Sequence, residues 1–197
     1  MLGAVAIAMW WDVAPEVRAE WEDWHSNEHM PERLSIPGFL RGSRWVATSG
    51  DPSYFTLYEA AELATITSGA YLERLNDPTP WSRRMMPHHR NMVRSLCLVR
   101  ESAGGGLPHT LATIRLSGAV GELPHGKGLT SAALLQGQPM PAQTLEQKIR
   151  GGDLSAEWIL LIGGYDEAAV RAAAREAGEG LVGFYRLAYS LSPRERS

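Results

Sequence analysis

The hydrophobic and polar positions alternate between strand-like runs and helical stripes, with Gly, Pro and Asp marking most of the breaks. Leu2–Met9 is a short apolar run that reads as a strand. Asp12 and Pro15 then open a helix whose apolar stripe is Val17, Trp21 and Trp24, and Pro31 is expected to close it. "IPGF" is a turn, Phe39–Thr48 a strand, "SGDPS" a second turn and Tyr54–Ala60 the strand that completes a hairpin. Glu62–Leu75 has helical spacing, Trp81–Arg90 predicts a short helix broken near Pro87, and Asn91–Arg100 is again a strand.

After Arg100 comes "ESAGGGLPH", whose three consecutive glycines form the one evident linker. Strands follow at His109–Leu116, Leu129–Gly137, Ala156–Gly163 and Leu181–Leu191, with an alanine-rich helix at Glu167–Ala177. "SGAVGELPHGKG", between the first two, holds too much glycine for a helix. The first part thus reads β-α-β-β-α-β, the ferredoxin-like plan, and the second repeats it without its first helix. This predicts an α+β protein of two ferredoxin-like halves. Residues 1–101 and 109–192 form the halves, 102–108 a glycine-rich linker and 193–197 a tail. Two antiparallel sheets of this kind bury their open faces by packing together as an α+β barrel. Strand alternation puts Arg41 and Trp45 on one face of the second strand, and Tyr54 and Tyr58 on one face of the third. The more apolar opposite faces suit the helices, which leaves Arg41, Trp45, Tyr54 and Tyr58 to line the space between the sheets. Such a set suits a small anionic or aromatic molecule, or else a well-satisfied core.

Composition narrows the function classes. A net charge of −3 with 19 scattered basic residues gives no phosphate-tracking surface, so no nucleic-acid partner is expected. The apolar start lacks a basic leader and is too short to cross a bilayer, so no membrane partner is expected and the protein is assigned to the cytoplasm. The single Cys97 lies in an apolar run and reads as a core residue. Of seven tryptophans, five (Trp10, Trp11, Trp21, Trp24 and Trp45) fall in the first quarter, suited to filling a core or walling a cavity.

Within "WHSNEHMPERL", His25, Glu28 and His29 spell H-x-x-E-H, the inverted zincin pattern. Histidines four apart share a helical flank, so zinc is sterically available. Three features oppose it. Pro31 ends the helix beside His29, no third ligand stands in a downstream motif, and Glu28 falls on the tryptophan stripe. A carboxylate there needs a partner, and Arg41 or Arg44 on the next strand would supply one. The alternative is an acid–base pair of Glu28 and His29.

The stretch "WxxWHSNEHMPERLSIPGFLRGSRW", followed by "YFTLYE" and "SGAYLERLNDPTPWSRRM", resembles the dimeric α+β-barrel superfamily, nearest its EthD-like branch and duplicated relatives. Its E-H-x-P segment is matched by Glu28, His29 and Pro31, and His25 takes a position usually aromatic. The resemblance covers Trp21–Val99 and reaches the second half only through its strand pattern. It implies the fold far more strongly than a reaction, because the superfamily spans cofactor-free monooxygenases, isomerases, cyclases and haem enzymes. The haem reading has only His88 and His89 to offer, and these read as surface residues.

The reading adopted is an enzyme without metal or organic cofactor, abstracting a proton beside the carbonyl of a cyclic or aromatic acidic metabolite. His29 and Glu28 are the catalytic candidates; His25, Arg41, Trp45, Tyr54 and Tyr58 are the substrate-binding candidates. The rivals are a non-catalytic ligand-binding or stress-associated protein and, third, a zinc hydrolase. The expected partner is a small molecule, and the chain is either a monomeric pseudo-dimer or a homodimer.

Overall fold

A computed structural model describes residues 1–139, 144–149 and 154–195; parts of the second half and the last two positions of the expected tail lie outside them. Eight antiparallel strands close into a barrel: β1 (Val5–Val13), β2 (Phe39–Ala47), β3 (Tyr54–Ala60), β4 (His89–Gly104), β5 (Thr110–Leu116), β6 (Leu129–Gln138), β7 (Trp158–Gly164) and β8 (Leu181–Leu191). Around the barrel the order is β1-β3-β2-β8-β5-β7-β6-β4. The first four strands therefore lie as β4-β1-β3-β2 and the last four as β8-β5-β7-β6, one order repeated. The seams β2–β8 and β4–β6 join the sets and leave no strand edge unpaired.

Two strands run well past their expected ends. β1 runs on to Val13, so Asp12 opens no helix; its carboxylate instead accepts from the Ser53 N–H (2.6 Å) and from Asn91 (2.9 Å). β4 continues to Gly104, because Glu101–Gly104 pairs with Leu134–Ser131 of β6. Residues 117–128 contain no helix, as their glycine content predicts. Among the described residues no helix is long and apolar enough to cross a membrane.

Both faces of most strands are buried. Ala6, Trp10, Phe55, Leu57, Leu111, Ala133, Leu161 and Tyr185 fill the lumen. Outside the first half, Ile7, Met9, Trp11, Tyr54 and Tyr58 pack under the helices. Outside the second, Ile114, Leu160 and Ile162 pack with Val170 and Ala174 of the helix Glu167–Glu176. The expected side of β3 is thereby corrected: Phe55 and Leu57 face the lumen, and Tyr54 and Tyr58 face the helices. Arg41 and Trp45 of β2 do lie on the lumen side. On the helix side Tyr54 finds a carboxylate acceptor in Glu22, while the tyrosine that packs in the lumen is Tyr185.

The connection from β1 to β2 is one helical run. A 3₁₀ turn (Pro15–Val17) leads into α1 (Arg18–Trp24), then a π-helical turn (His25–His29), then α2 (Met30–Leu34). Pro31 does not end it. The Met30 N–H reaches back five residues to the His25 carbonyl, and this wider turn precedes a proline placed in the first turn of α2, where its missing N–H costs little. Gly38 in the following turn has φ +94, and a Cβ there would meet Thr65 Oγ1 at 2.2 Å. Gly42 of β2 lets the strand approach α2: a Cβ would sit 2.9 Å from Tyr58 Cε1 and 3.0 Å from Met30 Cγ. Gly42→Ala is expected to cost about 1–3 kcal/mol in urea unfolding, through overpacking at Tyr58 and Met30; an unchanged midpoint would contradict that close approach.

Further helices α3 (Leu63–Thr67), α4 (Gly69–Asn76) and α5 (Pro80–Met85) connect β3 to β4. Ser68 separates α3 from α4 and caps the latter by accepting from the Tyr71 N–H (3.2 Å). The short α6 (Leu145–Ile149) belongs to the β6–β7 connection yet packs against α4 of the first half.

Candidate functional site

The π-helical turn sets His25 and His29 among aromatic rings. His25 stacks on Trp21 (centroids 4.8 Å, 22° between planes), and His29 lies 4.6 Å from Trp24. His89 joins the same cluster, 5.5 Å from Trp11 and 5.4 Å from Trp21, rather than standing on the surface as expected. The His25 Nδ1 accepts from Arg44 Nη1 at 3.2 Å, so the ring proton is on Nε2. Burial, reinforced by the Arg44 guanidinium, holds the His25 pKa well below the ordinary imidazole value. The unfolded chain then binds a proton that the folded one refuses. Stability is complete above about pH 6.5 and falls by about 1.4 kcal/mol per pH unit as the pH drops below it, until the folded pKa is reached. His25→Phe should flatten this acid limb in urea midpoints taken from pH 8 to pH 5; an equally steep limb would remove His25 as its source.

Glu28 serves the scaffold. Its Oε1 accepts from Thr79 Oγ1 (2.5 Å) and Trp24 Nε1 (3.2 Å), and Thr79 caps α5 by accepting from the Ser82 N–H (3.0 Å). The expected arginine partners are engaged elsewhere. Arg41 pairs with Glu59 (2.6 Å), and Arg44 donates to His25 and Ser26. Nor does the geometry favour the zinc reading, because a guanidinium on Nδ1 opposes a dication there. Among the described residues no three His, Cys, Asp or Glu side chains converge as a cation set.

His29 borders a cavity of about 30 Å³ between helices and sheet, whose other walls include Arg33, Tyr58, Tyr71, Arg94, Glu146 and Gln147. It is roomy enough for roughly one or two waters. Arg33, from α2, is buried and pairs with Glu146 of α6. Burial opposes its charge, but the Glu146 carboxylate outweighs that and raises its pKa. Arg94 Nη2 donates to Tyr71 Oη at 2.8 Å. Two of the lining residues each carry a fully buried polar atom without a hydrogen-bond partner: Arg33 Nη1 and Tyr58 Oη. Burial pushes the Tyr58 pKa up, so its hydroxyl keeps its proton and is available as a donor.

No protein-family model matches the sequence and no curated protein matches it. Solved structures do. An anthrone oxidase-like protein aligns over 98% of this chain and 94% of its own, with a TM-score of 0.62 and 9% identity. A candidate monooxygenase from Lactobacillus acidophilus aligns over 96% of each chain (TM-score 0.54, 8% identity). A candidate chlorite dismutase aligns over 94% of each (TM-score 0.53, 13% identity). These neighbours are dimeric α+β barrels. This chain has that fold. At such identities the likeness carries the architecture alone.

Within the barrel and its helix layer, the residues expected to act together are divided. His29 and Tyr58 share the helix–sheet cavity, and His25 sits one turn of the π segment away. Tyr54 lies on the same side of the sheet but donates to Glu22 Oε1 (2.6 Å), and burial followed by that carboxylate raises its pKa. Arg41 and Trp45 line a different cavity at one mouth of the lumen. Sequence reasoning missed Arg33, Tyr71, Arg94 and Glu146. Arg33 is four residues after His29 on one helical flank, and Arg94 interrupts the apolar positions Met92 and Leu96 on one strand face; both signals were readable. Glu146 carries none, because it arrives from the other half of the chain.

Proposed function

We propose that the helix–sheet cavity is the active site of an enzyme that needs no metal or organic cofactor and removes a proton beside the carbonyl of a cyclic or aromatic metabolite. The observation that carries this reading is the pair of partnerless buried donors, Arg33 Nη1 and Tyr58 Oη, on residues that wall a cavity together with His29. A charged guanidinium and a protonated phenol suit an oxygen on which negative charge builds. His29, in its neutral form, takes the proton from the carbon adjacent to the carbonyl, or conjugated with it across a ring, leaving an enolate held by the two donors. Glu28 acts through the scaffold, holding Trp24 and the α5 cap, not as a partner of His29. The cavity is small because α6 closes it. An acidic group on the substrate would compete with Glu146 for Arg33 and move α6 aside.

An anthrone oxidase-like neighbour makes anthrone the first probe, since its C10 protons lie across the ring from a carbonyl and give an enolate when removed. Under anaerobic conditions in D₂O, wild-type protein should accelerate exchange at C10, read by proton NMR; a rate equal to buffer would sink the reading for this substrate class. The rival reading, a ligand-binding or stress-associated protein without catalysis, draws on the charge pairing already complete between Arg33 and Glu146. It predicts that His29 substitution alters nothing but stability.

The same reading takes the chain as an internal duplication of the EthD-like type acting as a monomeric pseudo-dimer. The repeated strand order, the closure of the barrel by one chain and the Glu28-His29-x-Pro31 segment support it.

A further inference from the structure

The aromatic rings of the helix layer form a chain that leads away from the helix–sheet cavity. His29 borders that cavity, and Trp24 lies 4.6 Å from it. Trp21 follows at 5.9 Å from Trp24, and Tyr54 at 5.0 Å from Trp21. These centroid distances are direct ring contacts. Electrons cross such contacts readily, and two steps connect Tyr54 to Trp24.

The rings differ in what happens to their protons. Loss of one electron turns an indole or a phenol into a strong acid, so the oxidised state settles where a base takes the proton. Trp21 Nε1 is buried without an acceptor, an unusual state for a buried donor. The Arg44 guanidinium also stands 5.7 Å over its ring and opposes a positive charge there. Trp24 Nε1 does reach Glu28 Oε1, at 3.2 Å, but Thr79 holds the same oxygen at 2.5 Å. Tyr58 lines the cavity, yet its buried hydroxyl has no partner to receive a proton. Tyr54 is placed otherwise. Its hydroxyl donates to Glu22 Oε1 at 2.6 Å, the length of a strong charge-assisted bond, and half-buried Glu22 can pass a proton to water.

We propose that Trp24, Trp21 and Tyr54 form a relay that drains one-electron oxidants from the helix–sheet cavity and ends at Tyr54. A peroxyl or aryloxyl radical in the cavity takes one electron from Trp24 and becomes its anion. Trp24 is refilled through Trp21 by an electron from Tyr54, whose proton passes to Glu22, leaving a neutral tyrosyl radical. A small thiol then restores Tyr54 by giving an electron and a proton, and itself becomes a thiyl radical. The relay rests on the cavity lying beside Trp24, not on the proton-transfer reading of that cavity.

A photo-oxidant attached from outside tests it without any substrate. Asn27 is exposed, three residues beyond Trp24 on the same helical run, while the native Cys97 is buried. Asn27→Cys is labelled with a ruthenium polypyridyl complex and flash-oxidised in the presence of a cobalt(III) quencher. Electron paramagnetic resonance of the freeze-trapped protein should show a tyrosyl radical, identified by its narrowing with ring-deuterated tyrosine. Adding Tyr54→Phe should remove that signal and leave a tryptophan radical. Trp21→Phe, which keeps a ring but one that resists oxidation, should hold the radical on Trp24. Glu22→Gln should slow tyrosyl formation, and Tyr165→Phe, at an exposed tyrosine, should leave it unchanged. The absence of a tyrosyl radical in the labelled protein would overturn the relay without recourse to the further variants. So would a tyrosyl signal that survives Tyr54→Phe or Trp21→Phe, or that forms at the same rate in Glu22→Gln. None of these outcomes depends on anthrone exchange.

Discussion

His29→Ala is expected to slow C10 exchange of anthrone by about 10²- to 10⁴-fold, the range over which a positioned acid–base group accelerates proton transfer. His29 is only half-buried, at the end of the π turn, and its closest ring contact is the edge of a tryptophan cluster that stays packed without it. The variant should therefore remain folded, with an unfolding midpoint near that of the wild type. Tyr58→Phe provides the complementary result. It removes one donor to the enolate oxygen but leaves the base, so exchange should fall by a smaller factor, about 10²-fold. Should His29→Ala exchange at the wild-type rate while Tyr58→Phe slows it, His29 would lose its role and the oxygen-binding pair would keep theirs.

The largest stability effect is expected at the ion pair that closes the cavity. Glu146→Ala leaves the Arg33 guanidinium buried with neither its carboxylate nor water, and should cost about 3–5 kcal/mol in urea unfolding. The pair as a whole is worth much less, since both charges were taken from water to form it. Replacing both, Arg33→Met with Glu146→Leu, should therefore recover most of the loss. A single substitution costing under about 1 kcal/mol would mean that Arg33 reaches solvent when α6 is altered. That outcome would also make α6 a loosely held cover, easier for a substrate to displace.

The strand inventory was readable because each run of the first half is bounded by turn residues and because the second half repeats the same spacing. Even the absence of a helix from residues 117–128 was visible in their glycines. Faces were harder. Tyr54 and Tyr58 alternate with Phe55 and Leu57, and period-two patterning separates the sets without saying which side has helices. In a closed barrel neither side is wet, so polarity alone gives no sign. Pro31 misled for a local reason: the rule that proline ends helices assumes a regular α turn before it, and the π turn at His25–His29 changes that turn. Of the Glu28-His29-x-Pro31 segment, His29 borders the helix–sheet cavity, whereas Glu28 does not. Glu28 secures Trp24 and Thr79, and the charged partners of the cavity are Arg33, Arg94 and Glu146. Glu146 lies 113 residues from Arg33, a distance no local pattern spans.

The place where a carbonyl ligand sits, the helix–sheet cavity or the barrel lumen, decides the proposed role of His29, Arg33 and Tyr58. A crystal structure of the protein with anthraquinone, a non-exchanging carbonyl relative of the probe, measures this directly. One carbonyl oxygen is expected within hydrogen-bond distance of Arg33 Nη1 and Tyr58 Oη, with His29 beside the ring and α6 displaced from Arg33. Anthraquinone seated against Trp45 in the lumen, with the Arg33–Glu146 pair intact, would contradict it.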